Sequence, residues 1–356
     1  MEINEKRSNR HSQNGYMQLI LMVMIMLMVI TITMYYGAKF YCLIFEINEN
    51  KEIEVVDVES QEENEEPQTL LSVGDEEMKA LGRLEVLEDI KAYISEGNST
   101  TEMLREFMVD DVVFATGGQL YFSPINDKYK MNDFKQENFV VDERGKLDYV
   151  IDEEVKSRRG VDVSSHQGDI DWDKVKNDGM EFALIRVAFR GYGTGKLVVD
   201  EKFVENIEGA LEAGLDVGVY LFTQAINNKE INEEIDAMLE QIEPYKEDIT
   251  LPVVLDVEDP GADARYNDLD ATTRTDLAII FLEEMKSQGY DVMIYGNAKT
   301  YLYMLEMERI EEYPRWFANY NMDDFYFPYE FEIWQYSHSG SVDGIEGKAD
   351  LNVWPD

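Results

Sequence analysis

Cysteine is almost missing: Cys42 is the only one, so no disulfide can form within the chain, and the redox compartment is left open. Histidine is scarce too. His11, His166 and His338 are too few and too scattered for a typical zinc-hydrolase site, and no metal or other cofactor is expected. Cations are outnumbered, with 32 Lys and Arg against 74 Asp and Glu and a formal net charge of −42. Phosphate binding needs clustered cations, so nucleic acid is excluded as a partner. Adsorption flat on anionic lipid is disfavoured for the same reason. Apolar residues are plentiful, at 44% hydrophobic and 12% aromatic over 356 residues. That length has room for a domain of about 200 residues with its own core, plus smaller parts.

The parts differ in composition. Residues 1–15 carry Lys6, Arg7 and Arg10, and are expected to form a cytoplasmic tail. Tyr16 to Tyr36 contain no charge, which is long enough for a membrane-spanning helix, and an anchor is assigned to 16–38. The run exceeds the usual core of a signal peptide and no small-residue cleavage site follows, so an uncleaved anchor is favoured. The acidic far side places the remainder outside the cytoplasmic membrane, as a single-pass protein. Residues 39–69 read as a solvated stalk, since Glu46 to Glu66 hold ten acids against Lys51 alone. Residues 70–155 read as a small α+β module. EEMKALGRLEVLEDIKAYISEG has helical periodicity, and TTEMLREFM can follow Ser99 as a cap. Gly117-Gly118 and Arg144-Gly145 each sit between strand-like runs, as hairpin turns do.

From residue 156 to 356 the rhythm changes. GVDVSS, FALIRVAF, DVGVYLFT, LPVVLDVE and DVMIYGN alternate with amphipathic helical stretches; RWFANY, FEIWQYS and KADLNVW follow with little helix between them. Eight strand candidates and about five helices predict an α/β fold, an irregular (β/α) barrel of mostly parallel strands. Catalytic groups of such barrels lie at the C-terminal strand ends. In Pro252–Glu258, side-chain alternation sends Val253, Leu255 and Val257 towards the helices, and Val254, Asp256 and Glu258 into the mouth. The Cα atoms of Asp256 and Glu258 are then about 6.6 Å apart. Like charges so placed should raise one pKa, which suits glycosidic cleavage: one acid protonates the leaving oxygen while a carboxylate supports the cationic sugar. Alone, a D-x-E is as well read as ordinary rim residues. Asp162 and Asp350 lie at two further strand ends and bring more acids to the same mouth. Tyr220, Phe222, Trp316, Tyr320, Trp334 and Tyr336 offer ring faces that sugars pack on, and Tyr295 is counted with them, although barrel core is the plainer reading for several.

The motifs GVDVSSHQGDIDW, FALIRVAFRG, GVYLF, LPVVLDVED, RWFANY, WQYSHSG and ADLN, in this order and spacing, resemble glycoside hydrolase family 25 from about Arg159 to Pro355. The resemblance implies an incomplete β/α barrel that cuts peptidoglycan glycan strands between N-acetylmuramic acid and N-acetylglucosamine. It implies Glu258 as acid/base, Asp256 as its partner, and Asp162 and Asp350 as supporting aspartates. Arg186, Tyr220, Trp316, Tyr320 and Tyr336 fall where the family lines its cleft. His166 stands where an aromatic is common and is read as structural.

A chitinase-type D-x-x-D-x-D-x-E would need acids where Leu251 and Val254 stand. Zinc or thiol wall hydrolases lack their ligands here, Cys42 abutting the apolar run. The reading from another class is a catalytically inactive wall-binding anchor, which would be expected to have lost one of its acids. The anchor orientation has a direct test: protease added to intact protoplasts should remove the C-terminal domain. A domain that survives until the cells are lysed would reverse the assigned orientation.

Overall fold

The computed structural model describes residues 75–355, apart from 98, 262, 263, 323 and 324. The charge-free run and the acidic stretch lie outside them, and among the described residues no helix is long and apolar enough to cross a membrane. Helix α1 (Asp75–Ser95) precedes α2 (Thr100–Phe107). Ser99 caps α2 as expected: its hydroxyl accepts from the Glu102 amide at 3.2 Å, while Glu102 returns a carboxylate to the Ser99 amide at 2.7 Å. Strands β1 (Asp111–Thr116) and β2 (Gln119–Pro124) form the first expected hairpin. Gly117 and Gly118 turn it with φ of 57° and 75°, the paired positive values of the tight hairpin turn that matches strand twist. Strands β3 (Phe139–Val141), β4 (Leu147–Ile151) and β5 (Glu154–Val155) form a second small antiparallel sheet, with Gly145 in the β3–β4 turn.

The barrel strands are β6 (Ser157–Val163), β7 (Phe182–Arg190), β9 (Asp216–Phe222), β10 (Ile249–Asp256), β11 (Val292–Gly296), β12 (Arg315–Ala318), β13 (Ile333–Gly340) and β14 (Ala349–Pro355). Between β7 and β9, β8 (Leu197–Val199) adds a short antiparallel piece to the end of β7. Strand β6 pairs with both β7 and β14, so the eight close on themselves, one strand for each expected run. The expectation of mostly parallel strands is corrected to a mixed barrel. The β7-to-β13 pairings are parallel, but β14 runs antiparallel to β13 and β6. Only residues 341–348 separate β13 from β14, too few for a helical crossover, so the chain must return antiparallel.

Helices α3 (Trp172–Asn177), α4 (Phe203–Glu212), α5 (Asn228–Ile242) and α6 (Ala271–Ser287) cover the outer face from β6 to β11. The helix expected at KTYLYMLEM is instead a π-helical turn, Thr300–Met304, followed by the short α7 (Met307–Ile310). Tyr301 pins that turn by donating its hydroxyl to the carbonyls of Ile294 at 2.8 Å and Trp316 at 3.1 Å. Alternation sorts the barrel residues. Val253, Leu255, Val217, Val219 and Ile294 face outwards into the main core; Phe182, Leu184, Val254, Met293, Trp316 and Ile333 fill the inside. Gly160 on β6 has no room for a side chain, since a Cβ there would lie 2.2 Å from the Phe182 ring.

Among the described residues no helix follows β12, β13 or β14, and residues from before the barrel cover that flank. Phe139 meets Trp334 edge-on at 5.0 Å, Phe134 meets Phe331 at 5.2 Å, and Leu147 donates its amide to the Tyr336 hydroxyl at 3.2 Å. Phe139, Leu147 and Tyr149 belong to the same buried core as the barrel's outer residues, so apolar packing runs unbroken across 155/156. A buried ion pair fastens this layer. Lys146, 1% exposed, reaches the carboxylate of Asp178 after α3 and donates to its carbonyl at 2.8 Å. Burial works against ionisation of Asp178, but Lys146, the Asp343 amide and Arg144 outweigh it and hold the pKa below the usual aspartate value. Removing one partner of a buried pair strands the other. Lys146→Met should therefore cost about 3 kcal/mol in urea unfolding followed by tryptophan fluorescence. A loss below about 1 kcal/mol would be that of an exposed pair and would show that the layer is not fastened there.

Candidate active site

The inward positions nearest the C-terminal strand ends meet in one cleft of about 290 Å³. Strand β6 supplies Asp162, β7 Arg186, β9 Tyr220 and Phe222, β11 Tyr295, β12 Trp316 and β14 Asp350. Asp256 is the last residue of β10 and Glu258 follows two residues later. The alternation expected in Pro252–Glu258 holds: Val254 lies in the barrel interior and both acids line the cleft. Asp162 and Asp350 face each other across the β6–β14 pairing.

Polar partners fix the floor. Asp162 Oδ2 accepts from the amides of Gln335 and Asn352, each at 2.8 Å. Gln335 in turn accepts from the hydroxyls of Tyr295 at 2.7 Å and Tyr320 at 3.0 Å, and Asn352 accepts from the Trp316 indole at 2.8 Å. One acid thus orients two amides, and those amides orient three aromatic side chains. Arg186 is held by Asp200, whose fully buried carboxylate accepts from its Nε at 2.8 Å. Asp256 Oδ1 is buried without a hydrogen-bond partner among the described residues. The strand beside it is tied down outside the cleft, where Thr223 donates to Glu234 at 2.7 Å and Glu234 accepts from Arg190 at 2.6 Å.

All four acids have raised pKa values, where the sequence reading asked for one. Burial is the main cause throughout. For Asp256 the charges of Glu258 and Asp162 add to it and Arg186 opposes. Burial of Glu258 is offset in part by the Tyr295 hydroxyl and reinforced by Asp350. Asp350 adds to the rise of Asp162, which Asn352 and Gln335 oppose. Asp350 itself rises by burial against the pull of His338 and His166. The arrangement can hold a proton on one acid beside a second carboxyl group with a free oxygen, as acid-catalysed cleavage of an acetal requires.

Two expected cleft residues are corrected. Trp334 and Tyr336 point out of the barrel, packed under Phe139, Phe325 and Leu147. On β13 the inward positions are Ile333 and Gln335, so alternation puts Trp334 and Tyr336 on the other face. The sequence reading missed Gln335, Asn352, Asp200, Ser164 and Gln167; parity with Asp162 and Asp350 would have picked out Ser164 and Asn352. His166, read as structural, lines the cleft. His338, also passed over, stacks on Tyr320 at the rim, with centroids 4.4 Å apart and planes 9° apart. Among the described residues, no group of three or more His, Cys, Asp or Glu is arranged to hold a metal ion.

A closed α/β barrel with acids and aromatic rings crowded into one mouth is the architecture of a carbohydrate-cleaving enzyme. Residues 161–345 match the model of glycosyl hydrolases family 25, and the chain belongs to that family. It is 26% identical to an autolytic lysozyme of Clostridium acetobutylicum, over 54% of this chain and 55% of that protein. It is 30% identical to lysozyme M1 of Streptomyces globisporus, over 54% of this chain and 66% of that protein. The chain thus spans between about half and two thirds of the length of these two relatives. Among solved structures, the modular autolysin LytC of Streptococcus pneumoniae superposes with a TM-score of 0.50 at 25% identity, over 68% of this chain and 55% of that one.

The raised pKa of Asp256 has a stability consequence. The folded state holds this proton more tightly than the unfolded chain, so the stability it contributes is full below the unfolded aspartate range, about 3.9. That stability is lost as pH rises through the folded pKa. Asp256→Asn, which cannot ionise, should therefore raise the thermal midpoint at neutral pH, and the gain should fade as the pH is lowered towards about 4. A gain of the same size at both pH values would mean that Asp256 is not held against ionisation.

Proposed function

We propose that this protein is a muramidase that hydrolyses the β-1,4 bond between N-acetylmuramic acid and N-acetylglucosamine in peptidoglycan. The observation that carries the proposal is the end of β10, where half-buried Glu258 and buried Asp256, both with raised pKa values, open into one aromatic-lined cleft. Membership of the family and similarity to two proteins named as lysozymes support it.

In this reading Glu258 is the general acid: burial and mutual repulsion keep a proton on the Asp256–Glu258 pair, and with a sugar bound that proton sits on Glu258, the more exposed of the two, and passes to the glycosidic oxygen as the C1–O bond breaks. The 2-acetamido oxygen of the same sugar closes on C1, while the Asp256 carboxylate accepts a hydrogen bond from the amide N–H and balances the positive charge; this departs from the two-carboxylate scheme. Water then adds to C1 as the bond from C1 to the acetamido oxygen breaks, one water proton returns to Glu258, and the amide is restored with its N–H. A direct Asp256–C1 bond is the alternative that the same residues allow. Arg186, Tyr220, Phe222, Tyr295, Trp316 and Tyr320 would hold the sugars, with Asp162 and Asp350 shaping the field around the two reacting groups. Residues 16–36, with cations before them and acids after, would tether the barrel outside the cytoplasmic membrane and confine cutting to nearby wall.

The test is product chemistry together with two amide variants. Reduced digests of purified peptidoglycan should carry muramitol at the new ends; glucosaminitol or newly freed peptide amines would refute this specificity. Glu258→Gln should lose about 10²- to 10⁴-fold on peptidoglycan, the range of a general acid, and lose less on an aryl glycoside with an acidic leaving group. Asp256→Asn should be impaired on both substrates. Rescue of Asp256→Asn but not Glu258→Gln by the better leaving group would exchange the two roles. A wild-type protein that binds walls without cutting them would instead be an anchor.

A further inference from the structure

Glu258 is gripped on both sides, from β11 and from the segment that follows it. Before it, Val257 donates its amide to the Tyr295 carbonyl at 3.0 Å, and its own carbonyl accepts from Thr300 Oγ1 at 2.8 Å. After it, Asp259 accepts an ion-paired hydrogen bond from Lys299 and one from the Gly261 amide at 2.9 Å. Lys299 holds the Asp259 carboxyl below the usual aspartate value. Lys299 and Thr300 stand at the start of the π-helical turn, a form of backbone that recurs at functional sites.

The turn is held in its turn by the β1–β2 hairpin. The Lys299 ammonium lies 5.4 Å from the centroid of the Tyr121 ring, within range of a cation–π contact. Tyr303, four residues further on, packs edge-on against the same ring at 5.1 Å and donates its hydroxyl to the Phe122 carbonyl. Tyr121 is itself fixed by stacking on Phe114 of β1, with centroids 5.1 Å apart and planes 7° apart. A lysine is a point charge on a flexible stem and does not choose one direction unaided. Here a ring on one side and a carboxylate on the other choose it.

We propose that the β1–β2 hairpin is a positioning device for Glu258. Tyr121 orients Lys299, Lys299 orients Asp259, and Asp259 sets the path of the backbone that carries Glu258. The inference rests on Glu258 being the acid/base of the reading above. Lys299 and Tyr121 are positioning residues, and the loss expected on removing them is in turnover: a displacement of about 1 Å in a reacting group can cost about 10²-fold.

The experiment uses the full-length protein in four variants, Lys299→Met, Lys299→Arg, Tyr121→Leu and the Met/Leu double, with kcat and KM measured on purified peptidoglycan. Lys299→Met should lower kcat about tenfold at unchanged KM, and Lys299→Arg should recover most of it. The double variant should be no worse than the worse single, as for residues acting in one chain of contacts. Lys286→Met is the control, since Lys286 also pairs with a carboxylate, Glu283, and lies 5.2 Å from a tyrosine ring, Tyr313, but near the end of α6, before β11 begins. It should keep wild-type kcat. Wild-type kcat in Lys299→Met, or losses that add in the double, would overturn the proposal. Hydrogen exchange of the 257–261 segment reads the same coupling without turnover. It should quicken in Lys299→Met and Tyr121→Leu, and unchanged exchange would also overturn the proposal. Quickened exchange in a protein whose wild type cuts no peptidoglycan would refute the muramidase reading alone.

Discussion

A carboxyl group taken into a barrel mouth loses hydration, and ionising it there costs free energy unless donors or cations replace the lost water. Four such groups share the mouth of this barrel, and the surrounding polar contacts are distributed unequally among them. Asp162 receives two amide donors, Asp350 has two histidines near it, and Asp256 has Arg186. Glu258 has the Tyr295 hydroxyl and the least burial of the β10 pair. Unequal support is what separates the protonation states of neighbouring acids, so the site's chemistry depends on residues that carry no charge. Gln335 and Asn352 matter most. Each binds Asp162 with its N–H group and leaves its oxygen to accept from Tyr295, Tyr320 or Trp316. Their amides couple the electrostatics of the floor to the orientation of the rings above it.

Much of this was legible in the chain. The eight strand runs, the two hairpin turns and the Ser99 cap stand where composition and punctuation put them. The inward parity of Val254, Asp256 and Glu258 follows from alternation because their outward neighbours, Val253, Leu255 and Val257, are all aliphatic. The assignment of rings to the cleft fails on β13 for a physical reason. Its outer face is covered by Phe139 and Phe325 and so carries Trp334 and Tyr336, rings as large as those expected inside. With both faces buried, ring content cannot tell inside from outside, and the polar Gln335 was the better marker of the mouth. The π-helical turn was read as an ordinary helix because its apolar spacing is the same, and its identity is set by tertiary hydrogen bonds from Thr300 and Tyr301. The packing of the earlier layer on β12–β14 was not legible at all, since nothing local in Phe134 or Phe139 names a partner almost two hundred residues away.

The two regions joined at 155/156 differ in element type but share a core. The flank that a regular β/α barrel covers with helices is covered here by short strands, a buried Lys146–Asp178 pair and aromatic rings. One edge of that cover, the β1–β2 hairpin, reaches the turn beside Glu258. Structural cover and support of the site are therefore one element doing two things. Replacing that layer would alter more than surface.

Strand β6 pairs with β7, the next barrel strand in the chain, and with β14, the last. The seam of the barrel thus joins segments made nearly two hundred residues apart, and Trp334 and Tyr336 reach the rings that shield them only after most of the chain exists. Until β14 has been made, β6 can have β7 alone of its two neighbours. Long-range closure of this kind is slow, and it leaves an exposed edge with aggregation risk in the interval. Closure of this barrel is therefore a late event by topology, since its seam needs both ends of residues 157–355.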